Sequence, residues 1–105
     1  MINKALLIVR AEVPSPSDRP QFDEWYRTEH LSEAAAAFKA ERAWRCWSRS
    51  EPSLHYAFYE FGDVAGALQA IQSDASQSLR QKFDNKWGDR VTRTRDVAET
   101  VQCLP

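Results

Sequence analysis

The sequence predicts an α+β fold whose strands and helices follow the order β-α-β-β-α-β, with a four-stranded antiparallel sheet. Three observations support this prediction. An apolar run near the start and two alternating segments in the middle have the composition and period of strands. Two further segments carry apolar residues at helical spacing. Residues that favour turns (Pro, Gly, Asp and Ser) separate these segments, so the sequence marks each boundary.

The first half of the chain predicts one strand, one loop and one helix. The strand is predicted over residues 4–12, largely covered on both faces. Three prolines within residues 13–20 remove backbone donors and predict a loop. Asp18 can cap the helix that follows, with Pro20 in its first turn. After that helix, a Ser-Glu pair and four alanines are typical of a new cap, so a break or kink is expected around residues 30–32.

The middle of the chain predicts a β-hairpin. Residues 39–49 alternate as a strand does, which places Trp44 and Trp47 on opposite faces. A Glu-Pro-Ser turn then leads into a strongly β-prone strand over residues 54–61. Because the connection is short, the two strands are expected to pair in an antiparallel way.

The last part of the chain predicts a second helix and a final strand. Gly62 and Asp63 open this helix, an Asp-Ala-Ser segment interrupts or recaps it, and Gly88 ends it. The final strand is predicted over residues 91–104. The complete order is the split pattern of a ferredoxin-like domain.

Length, charge and cysteine content limit the possible classes of protein. The 105 residues fit a single domain spanning residues 1–105, and a formal net charge of −1 favours neither nucleic acid nor an anionic membrane. Cys46 and Cys103 fit no metal-binding or redox motif, so reduced thiols and a cytoplasmic location are expected. The apolar run near the start is too short for a signal peptide, and no segment is long enough to span a membrane.

A sheet with two helices on one face leaves its other face uncovered. Since aromatic residues occur on both faces of the middle strands, the uncovered face needs a cover. The simplest cover is a second copy of the chain that packs sheet to sheet across a two-fold axis. The sequence therefore predicts a homodimer.

Four segments resemble the dimeric α/β-barrel superfamily, and in particular its EthD-like branch. They are residues 22–26 (Phe-Asp-Glu-Trp-Tyr), 29–31 (Glu-His-Leu), 55–61 and 87–91. The resemblance implies a barrel of two facing sheets and a small pocket in each subunit between sheet and helices. Relatives include polyketide cyclases, lactone isomerases, cofactor-free monooxygenases and haem-degrading enzymes. Members of this branch often have Pro where this chain has Ser32.

The richest candidate for a site is the aromatic and polar segment before residue 31. His30 is expected to transfer a proton to or from a small substrate, and Tyr26 to orient it or donate a hydrogen bond. Glu29 is expected near the centre of the apolar face, where it needs a partner such as an arginine or acts as an acid. In the alternative interpretation, His30 and Glu29 only satisfy backbone groups at a broken helix. Trp25 is expected to form a wall of the pocket.

The strands contribute further candidate binding residues. Trp47 and Tyr59 are expected as pocket walls, and His55 shares a face with Tyr59 and would complete a second polar pair. A histidine near a turn is more often a surface residue, and this interpretation is favoured for His55. The strand arginines are expected to pair with acidic residues across strands rather than to bind an anionic or aromatic ligand. The acidic residues concerned are Glu12, Glu60 and Asp96.

These patterns predict a protein that binds a small apolar, aromatic or polyketide-like molecule. One predicted role is cofactor-free acid–base catalysis of cyclase, isomerase or monooxygenase type. The alternative is ligand binding without chemistry. No metal or organic cofactor is expected, because the chain has two distant histidines and no cysteine cluster. The second helix has no histidine to match the haem ligand of the haem-degrading relatives. RNA binding is a distant third hypothesis, since the first strand lacks a stacking aromatic.

Overall fold

The computed structural model describes residues 3–105 and has the predicted α+β architecture. The strands are β1 (Ala5–Glu12), β2 (Arg42–Trp47), β3 (Leu54–Phe61) and β4 (Thr92–Glu99). The helices are α1 (Arg19–Trp25), α2 (Leu31–Phe38), α3 (Val64–Ile71) and α4 (Asp74–Trp87). A π-helical turn, Tyr26–His30, joins α1 to α2, and short 3₁₀ turns occupy Pro16–Asp18 and Gly88–Arg90.

The four strands form one antiparallel sheet in the order β2-β3-β1-β4. This order confirms the ferredoxin-like prediction. The predicted hairpin is also confirmed, because β2 and β3 pair directly, with Trp47 opposite His55. The final strand is shorter than predicted and ends at Glu99. Its neighbour β1 begins at Ala5, and beyond Glu99 the Thr100 amide donates one further bond to the Lys4 carbonyl.

A break or kink is expected around residues 30–32, and the structure shows no break there. The backbone stays right-handed helical from α1 through the π-helical turn into α2. The Ser32 hydroxyl donates to the Glu29 carbonyl (3.2 Å) and caps no helix. The chain widens its helix by one residue here instead of interrupting it. The cap predicted at Asp18 is also wrong, because its carboxylate instead accepts a hydrogen bond from Arg90 (3.1 Å).

The helix-facing side of the sheet carries the core. Alternate residues of β1 and β3 are buried there, and the same alternation in β2 places Arg45 and Trp47 under the helices and Trp44 on the opposite face. The predicted separation of Trp44 from Trp47 is thus confirmed. Phe22 is fully buried and contacts the rings of Trp25, Tyr26, Trp47, His55, Phe83 and Trp87.

The other side of the sheet is covered by no helix of residues 3–105. Its aromatic residues stack on each other, with the rings of Trp44 and Phe58 5.5 Å apart and those of Tyr56 and Phe58 6.3 Å apart. Leu6 and Ile8 of β1 lie beside them and remain half-buried. We call this surface the open sheet face.

Within residues 3–105, no helix combines the length and the apolar character that crossing a bilayer requires.

Candidate functional site

A small cavity between the sheet and the helices brings together three of the predicted site residues. Tyr26 and His30 come from the π-helical turn, and Tyr59 comes from β3. Arg80 and Phe83 of α4 and Arg95 of β4 complete its polar and aromatic lining. Its volume of about 10 Å³ leaves room for about one water molecule. We call Tyr26, His30, Tyr59, Arg80 and Arg95 the His30 cluster.

The π-helical turn determines how His30 lies in this cluster. The imidazole stacks on the Trp25 indole, with the ring centroids 4.3 Å apart and the planes 16° from parallel. It meets Tyr26 edge-on at 4.8 Å and Phe83 at 5.5 Å. The side chain is only 5% exposed, and its Nδ1 atom has no hydrogen-bond partner within residues 3–105. Burial lowers the pKa of His30 to about 4, so the imidazole is neutral at pH 7.

The two tyrosines of the cluster keep their phenolic protons. Burial raises the pKa of Tyr26 to about 12. Burial and then the neighbouring Tyr26 phenol raise the pKa of Tyr59 as well. The cavity is therefore lined by a neutral imidazole and two phenols that can donate hydrogen bonds.

His55 is fully buried, so the favoured interpretation of it as a surface residue is wrong. The alternation of β3 turns it toward the helices, where its ring lies 4.6 Å from that of Tyr26. Its Nε2 atom is 3.3 Å from Nη1 of Arg45, and Nε2 must accept because a guanidinium only donates. Burial and the nearby Arg45 lower the pKa of His55 to about 3, so this imidazole is also neutral.

Asp23 joins this second histidine to β2 through a network that the sequence analysis missed. Its Oδ1 atom accepts hydrogen bonds from Arg45 Nη1 and from Trp47 Nε1, both at 2.8 Å. These bonds, that from Trp47 foremost, lower the pKa of the Asp23 carboxyl. We call Asp23, Arg45, Trp47 and His55 the Asp23 cluster. The sequence signal was present, since the alternation already placed Arg45 and Trp47 on one face.

The remaining predicted site residues lie outside the cavity. Trp25 backs His30 from behind, and Trp47 borders an open surface groove beside Asp23. Glu29 is exposed, so the expectation that it lies on the buried face is wrong. The extra residue of the π-helical turn shifts the helix register, which carries His30 inward and Glu29 outward.

The strand arginines do not pair across strands as expected, except for Arg42 with Glu60 at 4.0 Å. Arg45 pairs with a helix carboxylate instead, and so does Arg93, with Asp84 (3.1 Å). The helix-facing arginines of β2 and β4 extend beneath α1 and α4, so the nearest carboxylates come from helices. Sequence reasoning weighed only partners on neighbouring strands and missed these pairs.

A second, wider cleft of about 420 Å³ lies between the end of α2 and α3. Phe38 and Phe61 line its apolar part, and Lys39 and Glu41 line its rim. Glu41 already pairs with Lys4 (2.9 Å), and no histidine or tyrosine borders the cleft. Although it is larger, it offers less chemistry than the His30 cluster. Within residues 3–105 no three side chains of His, Cys, Asp or Glu come together as a metal site would require.

Comparison with solved structures identifies the fold. An EthD family protein from Bacillus halodurans is 19% identical, with 93% of this chain and 99% of its own covered and a TM-score of 0.71. SnoaB, a cofactor-independent oxygenase from Streptomyces nogalater, is 13% identical over 98% of both chains with a TM-score of 0.68. HapK from Hahella chejuensis is 10% identical over 96% of both chains with a TM-score of 0.70. The chain therefore shares the ferredoxin-like α+β fold of these proteins.

This likeness confirms the predicted resemblance at the level of the fold. No protein-family model matches the sequence, and no curated protein matches it. Proteins that share a fold at such low identity do not thereby share an activity. The fold alone therefore does not determine the activity of this chain.

Proposed function

We propose that the protein binds a small aromatic or polyketide-like molecule at the His30 cluster and catalyses a cofactor-free acid–base reaction of cyclase, isomerase or monooxygenase type. One observation carries this proposal. A neutral imidazole and two protonated phenols, from His30, Tyr26 and Tyr59, line the same cavity between sheet and helices. A neutral imidazole can take a proton from a substrate, and a phenol can donate a hydrogen bond to the oxygen that becomes charged.

The surroundings of His30 suit this role. The stacked Trp25 ring and the edge of Tyr26 hold the imidazole in one orientation. Less conformational entropy is therefore lost when the imidazole aligns with a substrate. The cavity is small and largely buried, and in such surroundings hydrogen bonds to a developing charge are stronger than in water. The relatives in fold include a protein described as a cofactor-independent oxygenase, which supports chemistry without a metal or organic cofactor.

Entry of a substrate requires side chains to move, since the cavity holds about one water molecule in this conformation. Arg80 lines the cavity, is only half-buried and makes no side-chain hydrogen bond or ion pair within residues 3–105. Movement of this side chain breaks no bond within the described chain. We therefore assign Arg80 to the entrance.

A second copy of the chain covers the open sheet face in this proposal, as the resemblance implies. The stacked rings of Trp44 and Phe58 and the apolar side chains of β1 form an apolar surface that water covers poorly. Native mass spectrometry of the purified protein tests this point. A two-chain mass is expected, and Trp44→Glu should shift the population toward one chain. A stable wild-type monomer would contradict the dimer and would return attention to RNA binding on this face.

A panel of phenolic polyketides, small aromatic acids and aromatic lactones tests the catalysis. Turnover of an identified substrate should fall between about 10²- and 10⁴-fold in His30→Gln, the scale of one positioned acid–base group. Tyr26→Phe should lower it less, because Tyr59 still donates. Arg49→Gln is the matched control, since Arg49 is exposed and bonds to no described residue. Unchanged turnover in a folded His30→Gln variant would remove the assignment.

Ligand binding without chemistry is the second candidate, and one observation favours it. Nδ1 of His30 has no partner within residues 3–105 to fix the tautomer, whereas catalytic histidines are commonly oriented by a hydrogen bond to their other nitrogen. Saturable binding of a panel member with no turnover at any pH would select this role.

A further inference from the structure

Three arginine side chains meet beside the His30 cavity, and only one of them has a carboxylate partner. Arg93 pairs with Asp84 at 3.1 Å and lies over the Phe83 ring, 3.9 Å from its centroid. Arg80 of α4 and Arg95 of β4 line the cavity itself. Neither of these two guanidiniums makes a hydrogen bond or an ion pair with any side chain or backbone group of residues 3–105.

Arg95 is the more confined of the two. It stands opposite Val9 in the β1–β4 register, on the face of the sheet that the helices cover, and is half-buried. Burial, followed by repulsion from Arg80 and Arg93, lowers the pKa of Arg95 to about 10. The guanidinium remains charged at pH 7, and a confined charge without a partner costs free energy.

The lining of the cavity contains no acidic residue that could supply that partner. Its polar groups are the two guanidiniums, the phenols of Tyr26 and Tyr59 and the imidazole of His30. At pH 7 the guanidiniums can only donate hydrogen bonds, and the phenols retain protons to donate. The ligand chemistry that complements such a lining is an oxygen anion.

We propose that the ligand of this cavity carries an acidic group, a carboxylate or an ionised phenol or enol, that pairs with Arg95 and Arg80. This inference rests on the proposed use of the His30 cavity and specifies the class of molecule that enters it. A planar guanidinium pairs with a carboxylate through two parallel hydrogen bonds, which a neutral amide of the same shape cannot reproduce. The Arg80 guanidinium makes no hydrogen bond or ion pair with residues 3–105, so the side chain can turn aside for the ligand and then close on the anion.

Benzoate and benzamide are matched probes for this proposal, because they share a ring and differ in charge. Titration calorimetry at constant ionic strength should show benzoate binding at least about tenfold more tightly than benzamide, which is the effect of one modest charge pair. Arg95→Gln should weaken benzoate binding about tenfold and leave benzamide unchanged. Arg95→Lys, which keeps the charge, should retain part of the preference for benzoate. Arg49→Gln should behave as the wild type.

Three outcomes of the binding experiments would overturn the proposal. The first is equal affinity for benzoate and benzamide. The second is benzoate binding that both Arg95→Gln and Arg80→Gln leave intact. The third is no binding of either probe at concentrations up to about 10 mM. Thermal melts of each variant ensure that a loss of binding is compared between folded proteins. The result is separable from the proposed catalysis. Charge-selective binding without turnover leaves this inference standing, whereas turnover that depends on His30 with only neutral substrates refutes it alone.

Discussion

The Asp23 cluster and the His30 cluster lie on the same side of the sheet and meet at one ring, yet their arginines differ: Arg45 is paired with a carboxylate, and Arg80 and Arg95 are not. Tyr26 contacts both, since it lies 4.6 Å from the His55 ring and beneath the Arg45 guanidinium at 5.8 Å. In the Asp23 cluster the guanidinium has a carboxylate, and the carboxylate has two donors. In the His30 cluster neither of the two guanidiniums has a carboxylate partner within residues 3–105.

This difference separates stability from function. A paired, partly buried network such as the Asp23 cluster contributes to the free energy of unfolding, and this contribution is enough to explain its presence. An unpaired one lowers that free energy, and folds retain such groups most often where a ligand or a reaction needs them. The three predictions that follow test whether the two clusters really divide in this way.

The largest effect is expected from Asp23→Ala, which removes the acceptor of the Asp23 cluster. Arg45 has only 17% of its side chain exposed and would be left without its carboxylate, and Trp47 would lose its acceptor. Two charge-assisted hydrogen bonds, discounted because the Asp23 side chain is 43% exposed, correspond to a loss of about 3–4 kcal/mol in the free energy of unfolding. Urea denaturation at pH 7 measures it.

Asp23→Asn is the matched control, because an amide oxygen still accepts from both donors without the charge. It should lose only about 1 kcal/mol. If the free energy of unfolding of Asp23→Ala lies within about 0.5 kcal/mol of the wild-type value, the Asp23 cluster contributes little to stability. The contrast between the two clusters would then be wrong.

The second prediction concerns the pH dependence of stability. Burial keeps the pKa of His30 at about 4, against 6.5 for the free side chain, so between these values the unfolded state binds more protons. Stability is therefore complete above about pH 6.5 and falls as the pH drops toward 4. At about 1.4 kcal/mol per unit, the part due to His30 is about 3 kcal/mol.

Urea denaturation at pH 7, 5.5 and 4.5 follows this loss. His30→Gln cannot take up the proton, so its stability should fall less over the same range, and the difference between the two proteins isolates His30 from His55 and the carboxylates. Parallel curves for wild type and His30→Gln would show that His30 is solvated in solution, and would contradict its place in a buried cavity.

The contrast between the clusters also shows where sequence reasoning succeeds. The period of two along β2 and β3 correctly separated Trp44 from Trp47 and placed His55 with Tyr59, because a strand leaves no other arrangement. The open sheet face follows from the same alternation. Local patterns of this kind carry most of the fold.

The chemistry depended on features with no local signature. The π-helical turn moved Glu29 out and His30 in, which a helical period of 3.6 does not predict. The pairing of Asp23 with Arg45 joins residues far apart in the chain. The unpaired state of Arg95 is visible only when all neighbours are in place.

The smallest effect, and the one of opposite sign, is expected from Arg95→Met. A methionine keeps the length and packing of the side chain and removes a confined charge that has no partner in residues 3–105, so the free energy of unfolding should rise by up to about 1 kcal/mol. Arg93→Met is the control, because it gives up the ion pair with Asp84 and the contact with Phe83 and should lose about 1 kcal/mol. Both are measured by urea denaturation at pH 7 without ligand.

A large loss of stability in Arg95→Met would mean that the guanidinium pairs with an anion in the free protein, from solvent or from a second copy of the chain. The charge of Arg95 would then have a structural role. A gain in stability together with a loss of benzoate binding would show that this chain gives up stability at Arg95 to keep a cation where an acidic ligand binds.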